Sequence, residues 1–159
     1  ISGVEEARLI YQGVNRFLPQ SDEKRLVIDI GGRSTEFILG QGFKSHHTAS
    51  LHVGSVAWSL KHFNSGDYTE KAFTRAQISA ESIFETLGDN FSPKHWDIAY
   101  GASGTIGAVA DVLMQYGRPV DVVTKEGLHW LREELLRARS NRRPQTRYCR
   151  GLIGVDRGF

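Results

Sequence analysis

Cysteine and methionine are nearly absent from this chain of 159 residues, each occurring once, and proline occurs four times. A single cysteine, Cys149, excludes an internal disulfide and any zinc site built from several cysteines. No apolar run approaches the ~20 residues of a membrane-spanning helix, and no basic-then-apolar leader opens the chain, so no membrane partner is expected. A cytoplasmic location is the corresponding expectation. The first residue is Ile1 rather than methionine, and the chain is read as a fragment, a processed product or a piece lacking its start.

Acidic residues are almost missing from one region. Residues 137–159 hold seven arginines and a single acid, Asp156, while the net charge of the whole chain is only +2. The remainder is therefore acidic, and the basic charge belongs to the tail. Arg137, Arg139, Arg142, Arg143, Arg147 and Arg150 could attract a polyanion, but Tyr148 is the one aromatic among them and no nucleic-acid module surrounds them. A solvated tail is the expectation, and nucleic acid is not the expected partner. What is present otherwise, 40% apolar and 24% charged residues, fits one globular domain able to bury a core.

Ala7, Ile10, Tyr11, Val14, Phe17 and Leu18 recur at helical intervals after Ser2 and Glu5, whose spacing is that of a capping box, so residues 3–18 are predicted helical. Leu26–Ile30 and Phe37–Leu39 read as antiparallel strands, and 43–53 as a third strand of a meander. A helical stretch follows Gly54 through Val56, Trp58, Leu60 and Phe63. A longer helix follows Asp67-Tyr68-Thr69, with Phe73, Ala76, Ala80, Ile83, Phe84 and Leu87 on one face and Gly88 as its stop. Trp96–Tyr100 is predicted as a strand that turns through Gly101-Ala102-Ser103-Gly104-Thr105 into a helix with Ile106, Val109, Ala110, Leu113 and Tyr116 inward. Thr124 is predicted to cap a last helix carrying Leu128, Leu131 and Leu135. Trp58, Trp96 and Trp130 are assigned to the core and the six histidines to the surface. The pattern predicts an α/β fold, a mixed sheet with flanking helices.

The chemistry is concentrated in LVIDIGGRSTEFILG, residues 26–40. A Gly-Gly turn by itself is common in hairpins, but Asp-x-Gly-Gly-x-Ser-Thr-Glu adds two carboxylates that a plain turn does not need. Asp29 interrupts an apolar run, and a carboxylate there is costly to bury unless paired or bound to metal, so it is expected at a cleft with Mg²⁺. Gly31 and Gly32 permit positive φ and close approach of backbone N–H groups to an anion, Ser34 and Thr35 add hydroxyls, and Glu36 returns a second carboxylate. The strand, glycine turn and helix around residues 101–105 form a second anion-binding arrangement, because the first N–H groups and the dipole of the helix face the turn.

Ile1-Ser2-Gly3, Glu5-Glu6-Ala7-Arg8 with Gly13-Val14, Val27-Ile28-Asp29-Ile30-Gly31-Gly32 with Ser34-Thr35-Glu36-Phe37, and Gly101-Ala102-Ser103-Gly104-Thr105-Ile106 together resemble the exopolyphosphatase/guanosine pentaphosphate phosphohydrolase family of the actin-like ATPase superfamily. The resemblance covers about residues 1–139. It implies a ribonuclease H-like fold corresponding to a second domain, with an inter-domain helix at 1–18, the domain proper at 25–139, and a divergent arginine-rich tail at 140–159. It also implies a further strand and helix after the last helix. Glu6 is then the catalytic base, Asp29 and Glu36 the metal ligands for Mg²⁺, and Gly31, Gly32, Ser34, Thr35, Gly101, Ser103, Gly104 and Thr105 the phosphate-binding residues. The implied substrate is inorganic polyphosphate or guanosine pentaphosphate. The implied first domain is absent from this sequence, so negligible activity alone is expected, with a complementary first domain or a second copy of the chain as partner. A non-catalytic, phosphate-binding or self-associating relative is the alternative. A sugar-kinase-like or actin-like nucleotide binder shares the fold, but the Glu-Glu-Ala-Arg segment argues against it. Arg33 departs from the family, which has a third glycine there: if the position needs positive φ the side chain strains the turn, and if not its guanidinium could bind phosphate bidentately or fill the ligand's space, with impairment the expectation.

Overall fold

Helix α1, Gly3–Phe17, leads into three consecutive antiparallel strands, β1 (Lys24–Ile30), β2 (Thr35–Gln41) and β3 (Lys44–Leu51). Two helices follow, α2 (Ser55–His62) and α3 (Glu70–Phe84), and then strand β4 (Ile98–Ala102) and helices α4 (Ser103–Gln115) and α5 (Lys125–Ser140). The computed structural model describes residues 3–63, 68–118 and 122–140. Ser2, Asp67 and the tail from residue 141, with any strand or helix expected there, lie outside the described residues.

The strands are ordered β3-β2-β1-β4, with β4 parallel to β1 and the other neighbours antiparallel. The parallel pairing requires a crossover, which α2 and α3 provide. Side chains alternate across the sheet. Val27 and Ile38, paired in register, face α1 and form a buried cluster with Ala7 and Tyr11, against which Tyr100 and Ala102 pack. Burying each large apolar side chain of this cluster contributes roughly 1.5–3 kcal/mol. Leu26, Phe37 and Leu39 face the opposite layer, where the Phe37 ring lies 5.7 Å from Phe84 of α3 and 6.2 Å from Phe91. Helix α4 shares that layer, because Gly101 of β4 lies directly under Ile106. The α5 residue Gly127 lies against Leu113 of α4, and Trp130 lies 5.0 Å from Tyr116.

Local chemistry sets the helix ends. Thr69 accepts from the Ala72 N–H at 3.0 Å, and Thr124 accepts from the Gly127 N–H at 3.0 Å. Gly88 has φ +67, the left-handed conformation that closes the turn after α3. Several expectations shift. Strand β4 runs from Ile98 to Ala102 rather than from Trp96 to Tyr100, so Gly101 and Ala102 are strand residues. Phe17 is 90% exposed, since it is the last residue of α1 and has passed the sheet edge. Leu60, Tyr116 and Leu128 are also exposed, and the three tryptophans are half-buried rather than core.

Candidate functional site

Asp29 and Glu36 occupy directly opposite positions in the β1–β2 ladder, and Ser50 of β3 and Ala102 of β4 continue the same row. Directly opposed residues hold their Cβ atoms about 4.5–5.5 Å apart and point to the same face. The alternation that turns Val27 and Ile38 to α1 turns this row to α1 as well. Glu36 is buried and accepts from Ser34 Oγ at 2.7 Å and from Ser50 Oγ at 2.8 Å. Burial pushes the Asp29 carboxyl up, the neighbouring Ser103 hydroxyl offsets this in part, and the charge of Glu36 pushes it up further. Two hard-oxygen ligands side by side, one resisting ionisation, suit a divalent cation that completes its shell with water and phosphate oxygens. Among the described residues no group of three or more His, Cys, Asp or Glu forms a protein-only metal cage.

The hairpin turn is held by α2. The Gly31 N–H donates to Ser34 O at 2.9 Å. Gly31 O accepts from the Ser55 N–H at 2.9 Å, and Gly32 O accepts from the N–H groups of Val56 at 2.9 Å and Ala57 at 3.0 Å. In a trans peptide the N–H points opposite to the preceding C=O. Tying both carbonyls to α2 therefore turns the N–H groups of Gly32 and Arg33 outward, where they make no hydrogen bond among the described residues. Neither Gly31 nor Gly32 is at positive φ, and neither is Arg33. The strain expected at Arg33 is thus absent, and its side chain is exposed.

At the second turn it is Ser103 that adopts the left-handed conformation, φ +77, and its Oγ donates to Ile30 O at 2.8 Å. A Cβ there costs about 1–2 kcal/mol, a strain that joins α4 to the end of β1. The α4 N-cap, Ala102, supplies no side-chain hydrogen bond, which leaves the first-turn N–H groups for an anion.

Helix α1, which carries Glu6, runs toward the same end of the sheet. Tyr11 lies against Gly40, the partner of Arg25, and Ala7 packs with Val27 and Ile38. Four helical residues and two strand residues both advance about 6 Å, so the first turn of α1 runs toward the level of Asp29 and Glu36. The Cα–Cβ bond of Glu6 tilts the same way. Arg8 grips Glu5 through Nε at 3.0 Å and Nη2 at 2.6 Å, whereas the exposed Glu6 carboxylate makes no hydrogen bond or ion pair among the described residues.

The structure therefore gathers Asp29, Gly31, Gly32, Ser34, Glu36, Ser103, Gly104 and Thr105 at one sheet end, toward which the helix that carries Glu6 runs. Thr35 is set apart. It is buried, and its hydroxyl donates to Val53 O on the far side of the sheet, so it is no phosphate donor. Gly101 is covered by Ile106, 2.6 Å from where its Cβ would lie, so its small size serves helix packing rather than ligand approach. Ser50, Gly54 and Ser55 escaped the sequence reading. Ser50 had a signal in its register two strands from Asp29, while nothing in the spacing of Ser55 marks its contacts.

Two carboxylates flanked by two glycine- and serine-bearing turns thus lie at one end of a mixed α/β sheet of the actin-like ATPase fold. Residues 1–148 match the model of the Ppx/GppA phosphatase family, and the chain belongs to that family. It is 38% identical over 136 residues to the guanosine-5'-triphosphate,3'-diphosphate pyrophosphatase of Vibrio atlanticus, covering 86% of this chain and 27% of that protein. The protein of the same name from Aeromonas hydrophila is 37% identical over 118 residues, 74% of this chain and 24% of its own length. The crystal structure of the Aquifex aeolicus Ppx/GppA phosphatase, type II variant, superposes with a TM-score of 0.70 at 26% identity, covering 94% of this chain and 51% of that one. The chain thus spans about a quarter of the length of these curated relatives.

Proposed function

We propose that this chain forms one wall of a phosphohydrolase site that removes the terminal phosphate of inorganic polyphosphate or guanosine pentaphosphate. The observation that carries this reading is the Asp29–Glu36 pair, set beside the hairpin turn and the start of α4, two segments that the Ser55 hydroxyl links. The amides of Gly32 and Arg33 and the first turn of α4 hold phosphate oxygens. Asp29 and Glu36 hold Mg²⁺, directly or through water, and the ion when bound offsets charge on the phosphoryl oxygens. Glu6 orients a water and accepts its proton as the water oxygen bonds to phosphorus and the anhydride oxygen leaves. The opposing wall is expected from a separate domain, so these 159 residues by themselves are expected to release little phosphate. A cytoplasmic location accords with such substrates, and no helix among the described residues is long and apolar enough to cross a membrane.

The test is phosphate release from polyphosphate and from guanosine pentaphosphate with Mg²⁺, by the chain alone and mixed with the first domain of a family member. Background rates alone and turnover on mixing are expected, with Glu6→Gln abolishing the turnover. Robust turnover by the chain alone overturns the two-wall reading. Failure of the well-folded mixture overturns the enzymatic one.

A further inference from the structure

Ser55 sits between the two turns and touches both. Its N–H and its Oγ both reach Gly31 O, at 2.9 and 3.2 Å, and its Oγ accepts from Thr105 Oγ1 at 3.3 Å. Thr105 lies in the first turn of α4 and Gly31 opens the hairpin turn, so one hydroxyl connects segments separated by more than seventy residues. The residue before it fits as closely. A Cβ on Gly54 would overlap the backbone of Arg33, which leaves the α2 N-terminus no freedom to slide along the turn. The N–H groups at the start of α2, which in an open helix would attract an anion, are consumed by the carbonyls of Gly31 and Gly32.

We infer that Ser55 is a positioning residue that fixes the separation of the two phosphate-binding turns, so that a diphosphate group meets both sets of amides at once. This rests on the phosphate-site reading above. The hydroxyl is half-buried and both accepts and donates, and such relays strengthen each member. Without it, Gly31 O keeps the backbone bond from Ser55, and the hairpin retains its shape. Thr105 loses its partner, and the start of α4 is then tied to the end of β1 through Ser103 Oγ and Ile30 O without the second link to the hairpin turn. The predicted defect is therefore in the relation between the turns rather than in either turn.

The test is a titration of the chain with pyrophosphate and Mg²⁺, followed by the backbone amide resonances of Gly32, Arg33, Gly104 and Thr105. In the wild-type chain all four amides are expected to shift along one binding curve. In Ser55→Ala the hairpin amides still respond, binding weakens about fivefold, the magnitude of one lost hydrogen bond, and the Gly104 and Thr105 shifts shrink or follow a separate curve. Thr105→Val, which cuts the link from the other side, gives the same split, and Ser55→Thr restores the single curve. A merely structural role would lower the melting temperature and leave the amides titrating together. Equal, coupled titration in Ser55→Ala and wild type overturns the role of Ser55 and leaves the phosphate site standing. No response of any of these amides in the wild-type chain overturns the phosphate site and this inference with it.

Discussion

Asp29 and Glu36 face one another across the β1–β2 ladder, and the site's electrostatics follow from that opposition. Burial, then the charge of Glu36, holds the Asp29 carboxyl above its ordinary range despite the Ser103 hydroxyl. Like charges directly opposed in a ladder oppose folding. A cation placed between them would offset that repulsion.

Removing the Asp29 charge should therefore stabilise the protein. The folded state holds the Asp29 proton more tightly than the unfolded chain, so this group's contribution to stability falls as pH rises from the unfolded value through the raised folded one. Asp29→Asn is expected to melt higher than wild type at neutral pH, with the gain disappearing in acid, where the wild-type carboxyl is protonated in both states. Thermal unfolding across that range checks it. A variant less stable than wild type at neutral pH would contradict the assignment.

Magnesium should supply the missing charge. A ligand that binds only the folded state stabilises by about 2.7 kcal/mol at a hundred times its dissociation constant, and for a domain of this size each kcal/mol raises Tm by roughly 2–4 °C. Wild type is expected to melt higher in excess MgCl₂ than in EDTA, and Asp29→Asn and Glu36→Gln to melt alike in both. If both variants keep the full Mg²⁺ shift, the ion binds elsewhere.

The hairpin was legible because its strands are consecutive, rich in β-branched residues and bounded by glycines. Contacts within a hairpin are fixed by local sequence. The limits of β4 were not, since glycine ordinarily marks a turn and Gly101 was read as one. Its true cause is Ile106, which packs where a Cβ would lie, and the turn falls instead at Ser103, a residue whose type does not announce a left-handed φ. The two carboxylates could be named from their motif, but the Ser55 link could not. Its partners lie 24 and 50 residues away, and only the packing of α2 against the turn brings them together.

Arg25 should prove the main anchor of α1. It is 2% exposed, and its guanidinium donates to Asn15 Oδ1 at 2.6 Å, to Ser21 Oγ at 2.8 Å and to Pro19 O. Asn15, itself buried, donates in turn to Tyr11 O at 2.8 Å. Losing the fork strands the buried Asn15 Oδ1 and removes two further bonds at the part-buried Pro19 O and Ser21 Oγ, so Arg25→Ala is expected to cost about 3 kcal/mol. Arg25→Lys should recover little, because one ammonium cannot span three acceptors. Urea unfolding measures both, and a lysine variant as stable as wild type would show that charge alone suffices.

Two glycines beside the site should behave oppositely. A Cβ at Gly54 would overlap the Arg33 backbone, so Gly54→Ala must push the hairpin turn away from α2, and overpacking of this kind costs about 2 kcal/mol. At Gly104 nothing lies within 4 Å of an added Cβ, and its φ is not positive. Gly104→Ala is therefore expected to leave the melting temperature unchanged or raise it, alanine being favoured over glycine inside a helix by roughly 0.5–1 kcal/mol. Yet Gly104 stands in the first turn of α4, where phosphate would approach the backbone. The same substitution should weaken pyrophosphate binding while stabilising the fold, and calorimetric titration beside thermal unfolding separates the two effects. If Gly104→Ala binds pyrophosphate as wild type does, the open space at residue 104 has no bearing on the ligand, and the α4 N-terminus loses its place in the site.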